Sequence, residues 1–131
     1  MSLNILIVDD SAVIRKMIIK TLGLSALSLG EVCEASNGQE ALDIMEQRWI
    51  DLVFADLNMP VMDGEVMIEK IRSNPEWADV PIIVVSTEGS RTRIEKLKSQ
   101  GAHFVHKPFS PEQICNLVNN LLGLWHEKQT V

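Results

Sequence analysis

The sequence predicts an α/β domain: one doubly wound, five-stranded parallel sheet flanked by five helices. Short β-like runs alternate with amphipathic helical ones five times along the chain, which implies right-handed βαβ units. Three of the five runs are near-continuous apolar stretches, as strands covered on both faces require. The 131 residues leave no room for a second independent core, and no repeat, linker or low-complexity segment divides them. The reading is a single domain over 1–131.

The first strand, 4–8 (NILIV), runs into Asp9 and Asp10 and is followed by a helical segment carrying Arg15, Lys16 and Lys20. The second is 31–35 (EVCEA). The third, 51–55 (DLVFA), ends at Asp56, after which Asn58, Pro60 and Gly64 shape a loop into the third helix. The fourth, 80–85 (VPIIVV), delivers Ser86 and Thr87. The fifth, 103–106 (HFVH), delivers Lys107. Between the last two strands, the helix over 91–100 carries Ile94 and Leu97 but also Arg91, Arg93, Lys96 and Lys98. So sparse an apolar stripe anchors weakly, which fits a mobile element, a binding surface or a solvated face. The last helix opens on Ser110 as cap and Pro111 at the first helical position, where a missing N–H costs nothing. Its stripe is Ile114, Leu117, Val118, Leu121, Leu122 and Trp125, with Trp125 read as a core residue.

Composition narrows the classes. A hydrophobic share of 46% and a charged share of 23% are ordinary for a soluble globular protein. The net charge of −6 argues against a broad basic surface for nucleic acid. No apolar stretch approaches the roughly 20 residues of a membrane span, and no secretory leader precedes the first strand. Cys33 and Cys115 lie far apart among apolar neighbours and read as buried thiols, not a disulfide. A cytoplasmic compartment is expected.

In open parallel sheets ligands bind beyond the carboxyl ends of the strands. That rim gathers Asp9, Asp10, Asp56, Ser86, Thr87 and Lys107. Singly, an aspartate there could cap a helix and the lysine could be a surface charge. Together, carboxylates about 4 Å apart repel by a few kcal/mol at an effective dielectric near 20, and one ammonium cannot balance three of them. A divalent cation taking oxygen ligands is the economical answer, and an open, hydrated carboxylate set suits Mg²⁺. Zinc does not fit, since neither cysteine reaches the rim and the histidines lack ligand spacing. Metal, lysine, hydroxyl and a free carboxylate make a phosphoryl-transfer site, with Asp56 as the attacking oxygen.

The stretches ILIVDDSAVIRKMI, DLVFADLNMPVMDG, PIIVVSTEG and GAHFVHKPFSPEQI resemble, in order and spacing, the motifs of response-regulator receiver domains, especially the stand-alone chemotaxis type. The resemblance covers about residues 3–125. It implies the flavodoxin-like strand order 2-1-3-4-5 and these roles. Asp56 accepts a phosphoryl group from a histidine kinase or a small phosphodonor. Asp10, Asp56 and the Asn58 backbone carbonyl hold Mg²⁺, with Asp9 acting through a bound water. Lys107 pairs with the carboxylate and then the phosphoryl group, and the Lys107–Pro108 bond is cis. Ser86 is the switch hydroxyl and Phe104 the switch aromatic. Asn58 and Glu88 flank the path of the attacking water and tune dephosphorylation.

Many members carry threonine at Ser86 and tyrosine at Phe104. Serine keeps the donor with less rotamer restraint, whereas phenylalanine removes any output contact that needs a phenolic hydroxyl. The reading is of a phosphorylation switch with no output domain, not a turnover enzyme. Its protein partner would be met through the basic 91–100 helix, the Phe104 strand and the last helix, with no nucleic acid and no membrane insertion. A phosphorelay intermediate or an excised receiver of a larger regulator is the alternative. A phosphatase of the haloacid dehalogenase type needs a second acid two residues after the nucleophile, where this chain has Asn58. A flavin binder needs a phosphate cradle after the first strand, where Asp9 and Asp10 would repel the phosphate.

Overall fold

The computed structural model describes residues 2–25 and 27–129, with side chains described as far as Leu121. Five strands, β1 (Leu3–Val8), β2 (Leu29–Ala35), β3 (Leu52–Ala55), β4 (Ile82–Ser86) and β5 (Ala102–His106), alternate with five helices. The helices are α1 (Ala12–Gly23), α2 (Gly38–Gln47), α3 (Gly64–Ser73), α4 (Arg91–Ser99) and α5 (Pro111–Gln129). All neighbouring strands pair parallel, in the order β2-β1-β3-β4-β5. The chain therefore reverses its winding between β1 and β3, which opens a crevice above their carboxyl ends.

Each face of the sheet has its own core. Leu6, Val8, Val53, Ala55, Ile82 and Val84 point towards α2, α3 and α4, while Ile5, Ile7, Leu52, Phe54, Ile83 and Val85 face α1 and α5. This alternation follows from the two-residue period of a strand. The central strands β3 and β4 are buried at every position, so they read as unbroken apolar runs. α3 buries Met67, Ile68 and Ile71, but α4 buries only Leu97. At about 1.5–3 kcal/mol per fully buried side chain, α4 is the more weakly anchored of the two. The sparse stripe in the sequence has that structural meaning.

Helix starts follow the side-chain chemistry. Ser11, Asn37, Asp63 and Ser90 each accept the backbone N–H three residues on. Ser110 and Gln113 form a reciprocal box at α5: the Gln113 N–H donates to Ser110 Oγ at 3.2 Å, and the Ser110 N–H donates to Gln113 Oε1 at 2.8 Å.

Two strand starts differ by two residues from those the sequence predicts, and the other boundaries by at most one. β2 begins at Leu29, pairing with Leu3 across an irregular register. β4 begins only at Ile82, because Pro81 has no N–H for the ladder; its carbonyl still accepts from the Val53 N–H at 3.0 Å. Both cysteines are free and half-buried, less enclosed than expected. The Leu122 and Trp125 side chains lie outside those described. Among the described residues no helix is long and apolar enough to cross a membrane.

Candidate functional site

Backbone pairing sets the rim residues side by side. The Asp9 N–H donates to Ala35 O at 3.0 Å, the Asp56 N–H to Val8 O at 2.9 Å and the Lys107 N–H to Ser86 O at 2.9 Å, so each residue continues its strand by one step. Carboxylate oxygens of Asp9, Asp10 and Asp56 then lie within 4.8 Å of one another. Asp9 is 2% exposed and Asp56 9%, whereas Asp10 faces solvent. Lys107 Nζ sits between the two buried acids, 3.1 Å from Asp9 Oδ2 and 3.2 Å from Asp56 Oδ2. Neither aspartate caps α1, a role that falls to Ser11. Asp9 Oδ1 instead accepts the Ser11 N–H at 2.9 Å, and Asp56 Oδ1 accepts the Leu57 N–H at 2.7 Å.

The charges remain unbalanced. Burial pushes the Asp9 carboxyl above the ordinary aspartate value, against the Ser11 N–H and Lys107, which pull it down; the nearby Asp56 charge adds to the rise. Burial alone would lower the Lys107 ammonium, but Asp56 and Asp9 together raise it above its ordinary value. Lysine therefore stays charged and cannot act as a neutral nucleophile here. The three acids offer hard oxygen ligands around an open side at Asp10, a set that fits a hydrated Mg²⁺.

Around this centre lie the switch candidates. Ser86 is fully buried, and its Oγ accepts the Glu88 N–H at 3.2 Å. Val84 pairs with Phe104 across β4 and β5, so Ser86 and Phe104 belong to the same face of the sheet. Phe104 is half-buried against the α2–α4 core. Asn58 is exposed in the loop beyond Asp56, and the Lys107–Pro108 peptide bond is cis.

Three features escaped the sequence reading. Gly64, at the start of α3, packs against Asp56 itself: a Cβ built there would lie 2.2 Å from the Asp56 carbonyl oxygen. Val61 adopts a φ of +66°, and the Met62 N–H donates back to Pro60 O at 2.7 Å, the strained positive-φ form of a three-residue turn. Arg93 bridges Glu65 and Glu88 from two different elements. The DG pair could have signalled the first; nothing local signals the other two. A groove of about 470 Å³, lined by Trp49, Trp77 and Pro81 among others, lies at the opposite end of the strands and holds none of the rim residues.

The family model for the response regulator receiver domain matches residues 5–119. The chain belongs to the response-regulator receiver family. A chemotaxis protein CheY homolog of Campylobacter jejuni is 34% identical over 123 residues, covering 92% of this chain and 93% of the relative. The transcriptional regulatory protein SrrA of Staphylococcus aureus is 37% identical over 123 residues, but the chain spans only 48% of its length. The solved structure of the chemotaxis response regulator CheY4 of Vibrio cholerae matches with a TM-score of 0.81 and 33% identity, covering 92% of this chain and 98% of that one. The protein is thus a receiver domain of a two-component response regulator, a signalling domain and not an ordinary enzyme. The expected fold and strand order are those observed.

Proposed function

We propose that this receiver accepts a phosphoryl group on Asp56 from a histidine kinase, with Mg²⁺ at Asp9, Asp10, Asp56 and the Asn58 backbone carbonyl, and signals through protein contacts. The observation that carries the reading is the rim itself. One ammonium serves two buried carboxylates, with a third acid beside them and a buried hydroxyl on the next strand. Bound Mg²⁺ would supply positive charge to the phosphoryl oxygens and complete its shell with water and phosphate.

The protein residues do the rest. The Leu57 N–H and Lys107 fix the Asp56 carboxylate so that its attacking oxygen is presented in line. Once the phosphoryl group is in place, Lys107 turns from the carboxylate to that group's oxygens, where negative charge gathers. Ser86 Oγ, released from the Glu88 N–H, donates a hydrogen bond to a phosphoryl oxygen. Phe104 then moves towards the space the hydroxyl leaves. α4, whose buried residue is Leu97, is the element such a shift reshapes most readily. The output face is α4, β5 and α5.

The relatives matched over nearly their whole length are chemotaxis proteins, which supports a partner reached by protein contact in a cytoplasmic pathway of that type. Asn58 and Glu88 support a short-lived acyl phosphate. Acetyl phosphate with Mg²⁺ tests the reading: one phosphoryl group per chain is expected, with no multiple turnover of phosphomonoesters. Steady turnover of such esters would instead make the protein a phosphatase.

A further inference from the structure

Glu88 is tethered at several points. Its N–H donates to Ser86 Oγ at 3.2 Å, its Oε1 accepts the Ser90 N–H at 2.9 Å, and its Oε2 pairs with the Arg93 guanidinium. The Ser90 N–H, as the largest cause, and the Arg93 guanidinium hold the carboxyl below the usual glutamate range. Arg93 uses a second nitrogen, Nε, for Glu65 in the first turn of α3. Glu65 directly follows Gly64, the residue in contact with Asp56. In the unphosphorylated protein the links form a circuit beside the site, from Asp56 through Gly64, Glu65, Arg93 and Glu88 to Ser86, and the Arg93–Glu88 pair does not depend on the Ser86 bond that the switch releases. Arg93 is the member that closes it.

An exposed ion pair would be worth little and would mean little. Here the Arg93 side chain is 35% exposed, the Glu65 carboxylate 27% and the Glu88 carboxylate 16%, and a planar fork grips two acids carried by two different segments. Such an arrangement fixes position more than it adds stability. We propose that Arg93 is a positioning residue for loss of the phosphoryl group from Asp56, acting by holding the Glu88 carboxylate at the site's mouth. The proposal rests on the reading of Asp56 as phosphoacceptor.

In that loss, a water oxygen forms a bond to phosphorus as the bond from phosphorus to the Asp56 oxygen breaks. Asp56 leaves with the electron pair as a carboxylate, and the water's proton passes to the departing phosphate. A fixed Glu88 carboxylate accepts the other O–H of that water and orients it; a freed one spends its time in solvent.

The test is the decay of acetyl-phosphate-labelled protein in Mg²⁺, with Arg93→Ala, Glu88→Ala and the double variant beside the parent. Arg93→Ala should decay about three- to tenfold more slowly, at the small end of what a positioned group supplies. Glu88→Ala should match it, and the double variant should be no slower than either single one. Arg93→Gln, which keeps most of the stem, should behave as Arg93→Ala and guards against a folding defect. Parental decay in the arginine variants, or multiplied effects in the double variant, overturns the proposal while leaving the phosphoacceptor reading intact. No label on the parent overturns both.

Discussion

Gly64→Ala tests how closely the third helix is fitted to the phosphoacceptor. The new methyl carbon would sit 2.2 Å from Asp56 O, 2.9 Å from Leu57 Cα and 3.1 Å from Asp56 C. All three are backbone atoms, so no side chain can swing aside. The Asp56 carbonyl or the start of α3 must retreat by about 1 Å to restore ordinary contact in a close-packed interior. That movement strains the Gly64 N–H bond to Leu57 O, now 2.8 Å. Overpacking at about 1–3 kcal/mol plus about 1 kcal/mol for the hydrogen bond gives a loss of roughly 2–4 kcal/mol. For a chain of this size that is a fall in Tm on the order of 10 °C. Urea unfolding should show a lower midpoint at an unchanged slope. Because Asp56 moves relative to Lys107, phosphorylation should slow as well. A variant within about 0.5 kcal/mol of the parent, the usual range of a neutral surface change, would refute the fit.

Further outcomes follow from other parts of the molecule. Val61 is 83% exposed, so Val61→Asn forfeits little burial while relieving the positive φ, and should stabilise by about 1 kcal/mol in urea; a loss of stability would show that the turn does not strain valine. Burial and the Arg72 charge hold His103 below its ordinary value of 6.5. The folded state thus binds that proton less readily than the unfolded chain, and this contribution is present above pH 6.5 and lost as pH falls through the folded value. His103→Gln should therefore flatten the decline in unfolding free energy between neutral pH and about pH 5, where the unfolded imidazole is protonated; an unchanged slope would contradict the assignment. Mg²⁺ at ten times its dissociation constant should stabilise the parent by about 1.4 kcal/mol, and Asp10→Asn should abolish most of that at matched ionic strength.

How much the sequence discloses depends on the range of the interaction. β3 and β4 are legible because they are buried at every position and so carry unbroken apolar runs. Asp9, Asp56, Ser86 and Lys107 are legible because strand ends in a parallel sheet share one edge, so counting along each strand brings them together. The start of β4 is misjudged because Val80 and Pro81 continue the apolar pattern while proline cannot continue the ladder. Other features are set only by contacts distant in sequence. Gly64 against Asp56 depends on where α3 enters, and the Val61 turn depends on the hydrogen bond across it. Arg93 looks like one cation in a basic helix until Glu65, 28 residues away, arrives beside it.

The central claim is that Asp56 carries the signal, and reductive trapping tests it most directly. Protein treated with acetyl phosphate and Mg²⁺ is quenched with borohydride, which reduces an aspartyl phosphate to homoserine, and is then mapped by peptide mass spectrometry. Homoserine at position 56, absent without Mg²⁺ and absent in Asp56→Asn, is the expected result. Unmodified Asp56 in the parent, or label at another residue, would contradict the account.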